Sequence, residues 1–412
     1  MRISTNQIYL RGMLGMQRRQ VDTLRLQEQL SSGKRVQTPS DDPIASAKIE
    51  LMKHRIESAA TYQDNTNAAK GTLAYEESIL SNTVGVLHNI KELQLQAGNG
   101  ALSLADRKVL ATEANNLLEQ LQGLANTQDS NGYYIFSGSR SLSQTISKDI
   151  NGNYVYNGDE TVRMQDISSG LTVALNDTGD DIFMNIKNGN GQFTVSQPAA
   201  PNVGNATVST GAVVNPTAYI PDNYTMQFAL NTLGQTVVMV TGATSGNVLP
   251  ATGLPDDAPV YQPGSSITFN GIEVTVKGTP QVGDSFTIAP STNESIFSSL
   301  KRIITNLNRA YETPTDKAVI ETENNQLLDN LDSALDNVLQ HRSMVGARMN
   351  QLEVAELVNE DLMSTSKESL SLLQDADLAS AAVELNLQTI FLQAAQQSFA
   401  KIQGLSLFNF MR

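Results

Sequence analysis

Three histidines, His54, His88 and His341, are the only imidazoles in a chain of 412 residues that contains no cysteine. A zinc-hydrolase helix needs two histidines flanking a glutamate, and no histidine here has such a neighbour, so each reads as an ordinary residue of a helix. The absence of cysteine excludes disulfides, thiolate metal sites and thiol nucleophiles. No glycine-rich loop ends in Lys-Ser or Lys-Thr to cradle a phosphate, and no serine sits in a glycine-flanked nucleophile elbow. The acid pairs Asp180-Asp181 and Asp256-Asp257 lie near Gly or Pro without further acidic ligands and read as solvated turns. Asn188-Gly189-Asn190-Gly191 has a faint look of a calcium repeat, but no repeat follows. The expectation is a chain with no catalytic residue, no metal and no cofactor.

The elements that would position such residues carry more information than the residues do. A net charge of -14 opposes binding to nucleic acid or to an anionic membrane, which are held by clustered Lys and Arg. Residues 1–20 break every apolar run with Arg2, Asn6, Gln7, Arg11 or Gln17, so no secretory signal core is expected there. Composition then changes twice, from Leu, Gln, Ala and Glu to Gly, Asn, Thr, Val and Pro near residue 131, and back near 290. The length suits two or three domains.

Helical periodicity is plain on both sides. Leu73, Leu80, Leu87 and Ile90 mark one helix, and Leu110, Ala114, Leu117, Leu121 and Leu124 another. Leu327, Leu331, Leu335, Val338, Val345, Met349 and Leu352 mark a third, with Arg342 as its polar interruption. Starts are legible in Ser40-Asp41-Asp42-Pro43, Ser103-Leu104-Ala105-Asp106 and Thr313-Pro314-Thr315-Asp316, where a capping side chain precedes Pro or an acid. Near the C-terminus Leu378, Leu385, Leu392 and Phe399 recur every seven residues, with Ala381, Ala395 and Ile402 beside them and Gln388 as the only break. That repeat keeps one stripe on a partner helix. A second stripe, Val383, Leu387, Ile390 and Phe391, predicts more than one helical neighbour, inside one subunit or between subunits. In the middle, Tyr224–Leu230, Gln235–Thr241, Ser266–Asn270 and Ile272–Lys277 read as strands, with Asn270-Gly271 as a type I′ turn.

Several segments together resemble one family. Met1-Arg2-Ile3-Ser4-Thr5, Leu30-Ser31-Ser32-Gly33-Lys34-Arg35-Val36 and Pro39-Ser40-Asp41-Asp42-Pro43 are similar to the opening of the flagellar hook-filament junction proteins (hook-associated protein 3), relatives of bacterial flagellin. Asn131-Gly132-Tyr133-Tyr134-Ile135-Phe136-Ser137-Gly138, Gly346-Ala347-Arg348-Met349-Asn350, Asp375-Ala376-Asp377 and Leu405-Ser406-Leu407-Phe408 extend the likeness over about 1–175 and 285–412. The resemblance implies a non-enzymatic, extracellular subunit of the flagellum that self-assembles in a ring between the first hook-associated protein and flagellin. It also implies type III export without a cleaved signal, with a cytoplasmic chaperone shielding the chain; the exclusion of nucleic acid and membrane insertion rests on the acidic charge and on the lack of any run of about 18 apolar residues. The assembly contacts it implies fall on Ile3, Leu10, Leu14, Val21, Leu24, Leu378, Leu385, Leu392, Phe399, Leu407 and Phe408. The expected fold is α+β and multidomain: a long antiparallel helical rod, flagellin-like, from both chain ends, with an inserted β-rich outer domain. Residues 1–41 with 371–412 form the assembly domain, 42–175 with 291–370 the rod with a β-hairpin, and 176–290 the outer domain. Two rivals are flagellin itself and an adhesin or hydrolase housed in the central β region.

Overall fold

A computed structural model describes residues 5–99, 102–198, 202–310 and 312–410, with side chains for all of these but 5, 6, 8 and 402–410. The architecture is α+β, with long helices from both ends of the sequence and strands between them. The helices are α1 (Thr5–Ser32), α2 (Pro43–Ala97), α3 (Leu104–Ala125), α4 (Ile296–Leu307), α5 (Pro314–Gln374) and α6 (Leu378–Phe410). Contacts divide the chain into two units: residues 1–67, 166–171 and 353–412, and residues 68–165 with 172–352.

In the second unit most of the predicted apolar rows are buried, with Leu117, Leu124 and Met349 half-buried. Leu73, Leu80, Leu87 and Ile90 of α2 are fully buried, as are Leu327, Leu331, Val338, Val345 and Leu352 of α5. Polar rungs set the antiparallel register of the two helices. Arg342 Nε donates to Glu77 Oε1 at 3.1 Å, Gln94 Nε2 donates to Asn324 Oδ1 at 2.8 Å, and Lys91 pairs with Asp332. Helix α3 starts at a reciprocal capping box, with Asp106 N–H donating to Ser103 Oγ at 3.2 Å while the Asp106 carboxylate accepts from Ser103 N–H. Helix α5 starts likewise, with Asp316 N–H on Thr313 Oγ1 at 3.1 Å, and that box holds the Asp316 carboxyl below its usual range through bonds from the Thr313 side chain and backbone.

Beside the short hairpin of Ile146–Lys148 with Tyr154–Tyr156 and the pair Ile186–Lys187 with Asn293–Glu294, most strands of this unit form two antiparallel sheets. One runs Gly246–Leu249, Thr236–Gly242, Tyr224–Leu230, Ser285–Pro290 and Phe193–Ser196, and the other pairs Ser266–Phe269, Ile272–Lys277 and Thr207–Val208. Alternate residues of both sheets, among them Tyr224, Met226, Phe228, Val274, Val276 and Phe286, meet in a single apolar core, as two sheets each with one buried face must. The expected strands are present with boundaries moved by at most one residue. Asn270 and Gly271 carry φ of 41° and 76°, the positive values that a type I′ turn demands. The sequence Asn188–Gly191 is a turn whose Gly189 N–H donates to Asn330 Oδ1 of α5 at 2.6 Å, which pins the sheet's entry to the helix.

One buried polar cluster lies between α2, α5 and the segment around Asp177. Arg348 grips Asp177 with two bonds of 3.1 and 2.7 Å, His341 Nδ1 lies 3.7 Å from the same carboxylate, and Asp177 N–H donates to Glu76 Oε1 at 2.9 Å. Burial first, and then the neighbouring Asp177 charge, push Glu76 up to about 8 from an ordinary 4.5. A carboxyl raised on folding contributes stability that is complete below its unfolded value and is lost as pH rises through its folded value. Thermal midpoints of this protein are therefore expected to fall between pH 4.5 and about 8. In Glu76→Gln, which stays neutral throughout, that slope should shrink clearly; an identical slope in both proteins would show that Glu76 is already ionised in the folded state.

Candidate assembly interface

The first unit is built around a joint made by the residues between its helices. Helix α1 ends at Gly33, whose φ of 71° only glycine adopts freely and whose N–H donates to Gln29 O at 2.9 Å. The chain then runs beside the α5–α6 link. Arg35 N–H donates to Gln374 O at 2.6 Å, Ala376 N–H donates to Gly33 O at 2.9 Å, and the Arg35 guanidinium donates to Leu373 O at 2.8 Å. Val36, Ala45 and Ile49 pack with Leu370 and Leu373 beneath this ladder. Asp41 accepts from Thr38 N–H at 3.0 Å and Gln37 N–H at 3.2 Å, and these bonds hold its carboxyl below the usual range. Asp42 accepts from Ala45 N–H at 2.9 Å and so caps α2 ahead of Pro43. Asp377 does the same for α6, accepting from Ala379 and Ser380 N–H at 3.1 and 3.2 Å, and the Ser380 bonds lower its carboxyl.

From this joint α1 and α6 extend as an antiparallel pair. The Tyr9 and Phe399 rings lie 5.0 Å apart, Arg19 Nη1 donates to Gln388 Oε1 at 3.1 Å, and the Arg19 guanidinium stands 5.1 Å from the centre of the Phe391 ring. A Cβ on Gly12 would sit 3.1 Å from the Phe399 ring, so glycine sets how closely the helices approach there. The heptad positions Leu385, Gln388, Leu392, Ala395 and Phe399 are half-buried and Ala381 is buried, which makes them the stripe facing α1. On α1 the residues turned inward are Gly12, Met16, Arg19, Thr23 and Leu26. The polar break at Gln388 is thus matched by Arg19. Arg19 and Thr23 are the residues that apolar periodicity missed; a polar position inside an apolar repeat, in need of a partner, was the only available sign of them.

What α6 does not bury against α1 stays open. Val383, Leu387, Ile390 and Phe391 are exposed, Ile390 by 59%. On α1 the residues Leu10, Leu14, Val21 and Leu24 are exposed as well, Val21 by 63% and Leu24 by 54%, and Leu378 by 50%. Ile3 lies outside the described residues, and the side chains of Leu407 and Phe408 lie outside those described. The candidate contacts therefore separate into two sets. Leu385, Leu392 and Phe399 join α6 to α1, whereas Leu10, Leu14, Val21, Leu24 and Leu378 face outward. Contiguous apolar patches of large area are uncommon on monomeric proteins.

The residues singled out for chemistry are scattered. His54 Nδ1 lies 3.0 Å from Ser58 Oγ on the same helix, Asp181 accepts from Thr178 Oγ1 at 2.7 Å, and Asp256 accepts from Thr232 N–H at 2.6 Å. Among the described residues no group of three or more His, Cys, Asp or Glu side chains converges on a metal position, and no helix is long and apolar enough to cross a membrane.

Comparison with known proteins meets this geometry. The model of the bacterial flagellin N-terminal helical region matches residues 3–141, and that of the bacterial flagellin C-terminal helical region matches residues 328–411. Flagellar hook-associated protein 3 of Salmonella typhimurium is 36% identical over 186 residues, 45% of this chain and 58% of that protein. The Escherichia coli protein of the same name is 37% identical over the same shares, so the chain spans 58% of the length of these curated relatives. The crystal structure of flagellar hook-associated protein 3 from Legionella pneumophila superposes with a TM-score of 0.78 at 54% identity, covering 79% of this chain and 98% of that one. A flagellar junction protein from Xanthomonas campestris superposes at 0.70 with 26% identity, over 77% of this chain and 99% of that one. At that identity over nearly the whole of the Legionella protein, the chain belongs to the family of flagellar hook-associated protein 3.

Proposed function

We propose that this chain is a non-catalytic structural adaptor of the bacterial flagellum, joining the hook to the flagellin filament. The observation that carries the reading is the open second stripe on α1 and α6: apolar, continuous and already aligned by a joint that fixes both helices. Its partners are further copies of this chain in a ring, the first hook-associated protein on one side and flagellin on the other. The working location is extracellular, reached by type III export with a cytoplasmic chaperone covering the apolar stripe beforehand. We further propose that residues 1–41 with 371–412 act as the assembly domain, 42–175 with 291–370 as the supporting helical region, and 176–290 as the outer β domain.

Four variants test the role. Deleting residues 371–412 should leave a folded second unit, abolish incorporation into flagella and release flagellin into the medium; normal filaments on that strain would refute the reading. Val21→Glu with Ile390→Glu, both at exposed positions, should leave the unfolding midpoint of the purified chain within a few degrees of the parent while preventing filament growth. Gly12→Leu should force α1 from Phe399 and impair assembly, whereas Gly15→Leu, with nothing within 4 Å of its added Cβ, should be tolerated. Electron micrographs scoring hooks with and without filaments provide the readout, and equal behaviour of the two glycine variants would remove the close approach from the argument.

A further inference from the structure

A second unpartnered face lies away from the α1–α6 pair. In its last stretch α5 turns Ala355, Asn359 and Ser366 inward, and Asn359 Nδ2 donates to Ile167 O at 2.8 Å. The opposite side presents Val354, Leu357, Val358 and Leu362 to solvent, Val354 by 60% and Leu357 by 63%. These four follow the three- and four-residue spacing of one helix face, yet nothing in the described structure covers them. The leucine row that ends at Leu352 does not include them, so they are surplus to the core of the helix.

Charge says what fits. Along this face stand Glu353 and Glu360, seven residues apart and exposed, with Asp361 exposed beside them. On α1 the open stripe of Leu10, Leu14, Val21 and Leu24 is flanked by Arg11 and Arg18, also seven apart and exposed. At 1.5 Å of rise per residue both rows space their charges by about 10 Å. Asp22 follows Arg18 by one turn on the same flank, so the pair that matches the acids in pitch is Arg11 with Arg18.

We propose that the α5 face of one copy receives the outward face of α1 from a neighbouring copy, with Arg11 and Arg18 set against Glu353 and Glu360. The two surfaces differ, so the contact is head-to-tail. Such a contact repeats around a ring or a helical tube instead of closing as a dimer. The inference rests on the adaptor reading and adds to it the pair of surfaces that meet.

Absence of native cysteine permits a direct test. Leu14→Cys and Val358→Cys chains, distinguishable by size, are co-expressed in the flagellated cell, and isolated flagella are oxidised. A mixed disulfide between the two chains is expected to dominate. Incorporation of both without it, or a Val358→Cys homodimer in its place, overturns the proposal. In a second arm Glu353→Lys with Glu360→Lys should lower incorporation by about tenfold or more, because like charges across a contact oppose association. Adding Arg11→Glu with Arg18→Glu in the same chain should restore it; no restoration, with both proteins folded by circular dichroism, also overturns it. If the unmodified chain is itself missing from purified flagella the adaptor reading fails, a result separate from normal incorporation with no cross-link.

Discussion

A pair of helices can cover only one stripe of each partner, and α6 carries two. Leu385, Leu392 and Phe399 are turned to α1, which leaves Val383, Leu387 and Ile390 exposed and Phe391 covered only in part, by the Arg19 guanidinium, among the described residues. The same holds in reverse for Leu10, Leu14, Val21 and Leu24 on α1. With Leu378, nine large apolar side chains are about half exposed, and covering them would return roughly 7–14 kcal/mol. Immobilising one protein on another costs an estimated 4–15 kcal/mol. A single neighbour covering part of the stripe is therefore marginal. Several neighbours, or a preformed end to add to, make association favourable, so the chain is suited to growth on a template more than to spontaneous polymerisation.

For that face to be useful the two helices must be held in fixed orientation, and the carboxylates do this. Asp41, Asp42 and Asp377 accept backbone N–H groups in and around the joint, as Asp106 and Asp316 do where α3 and α5 begin. Each satisfies donors that a starting helix or turn leaves without partners and complements the helix dipole. These five acids are thus fasteners. Lys34 and Arg35 add a short backbone ladder to residues 374–376, which ties the start of the chain to its end by directional bonds rather than by apolar contact alone.

Periodicity in the sequence made most of the helices legible, because Leu73, Leu80, Leu87 and Ile90, and later Leu327 to Leu352, repeat at helical spacing and are buried for that reason. Caps were legible too, since Ser, Thr and Asp before Pro or an acid have few other uses. The strands were marked by β-branched residues and by Asn270-Gly271. What the pattern did not reveal was polar: the Arg19–Gln388 rung, the buried cluster of Glu76, Asp177, His341 and Arg348, and the anchoring of Gly189 by Asn330. Each joins residues far apart in sequence, and a polar residue does not advertise its partner as an apolar repeat does. Helix α5 shows a related limit, because its apolar residues Val354, Leu357, Val358 and Leu362 are exposed while Ala355, Asn359 and Ser366 are turned inward.

The two kinds of seam have different mechanical consequences. Between α2 and α5, the rungs Glu77–Arg342, Lys91–Asp332 and Gln94–Asn324 bond side chains at set positions, and sliding the helices would strand buried or half-buried polar groups at a cost of about 1–3 kcal/mol each. Between α1 and α6 the one side-chain hydrogen bond among the described residues is Arg19–Gln388, with Arg19 also over the Phe391 ring; the apolar stripe of Leu385, Leu392 and Phe399 adds burial, an attraction with little directional preference. Outward stripes of the same kind can meet neighbours at slightly different offsets without leaving a polar group unpaired. A subunit placed between two tubes of different packing, the role proposed above, needs that combination: one seam that fixes the register of its own helices and another that tolerates small differences in what it touches.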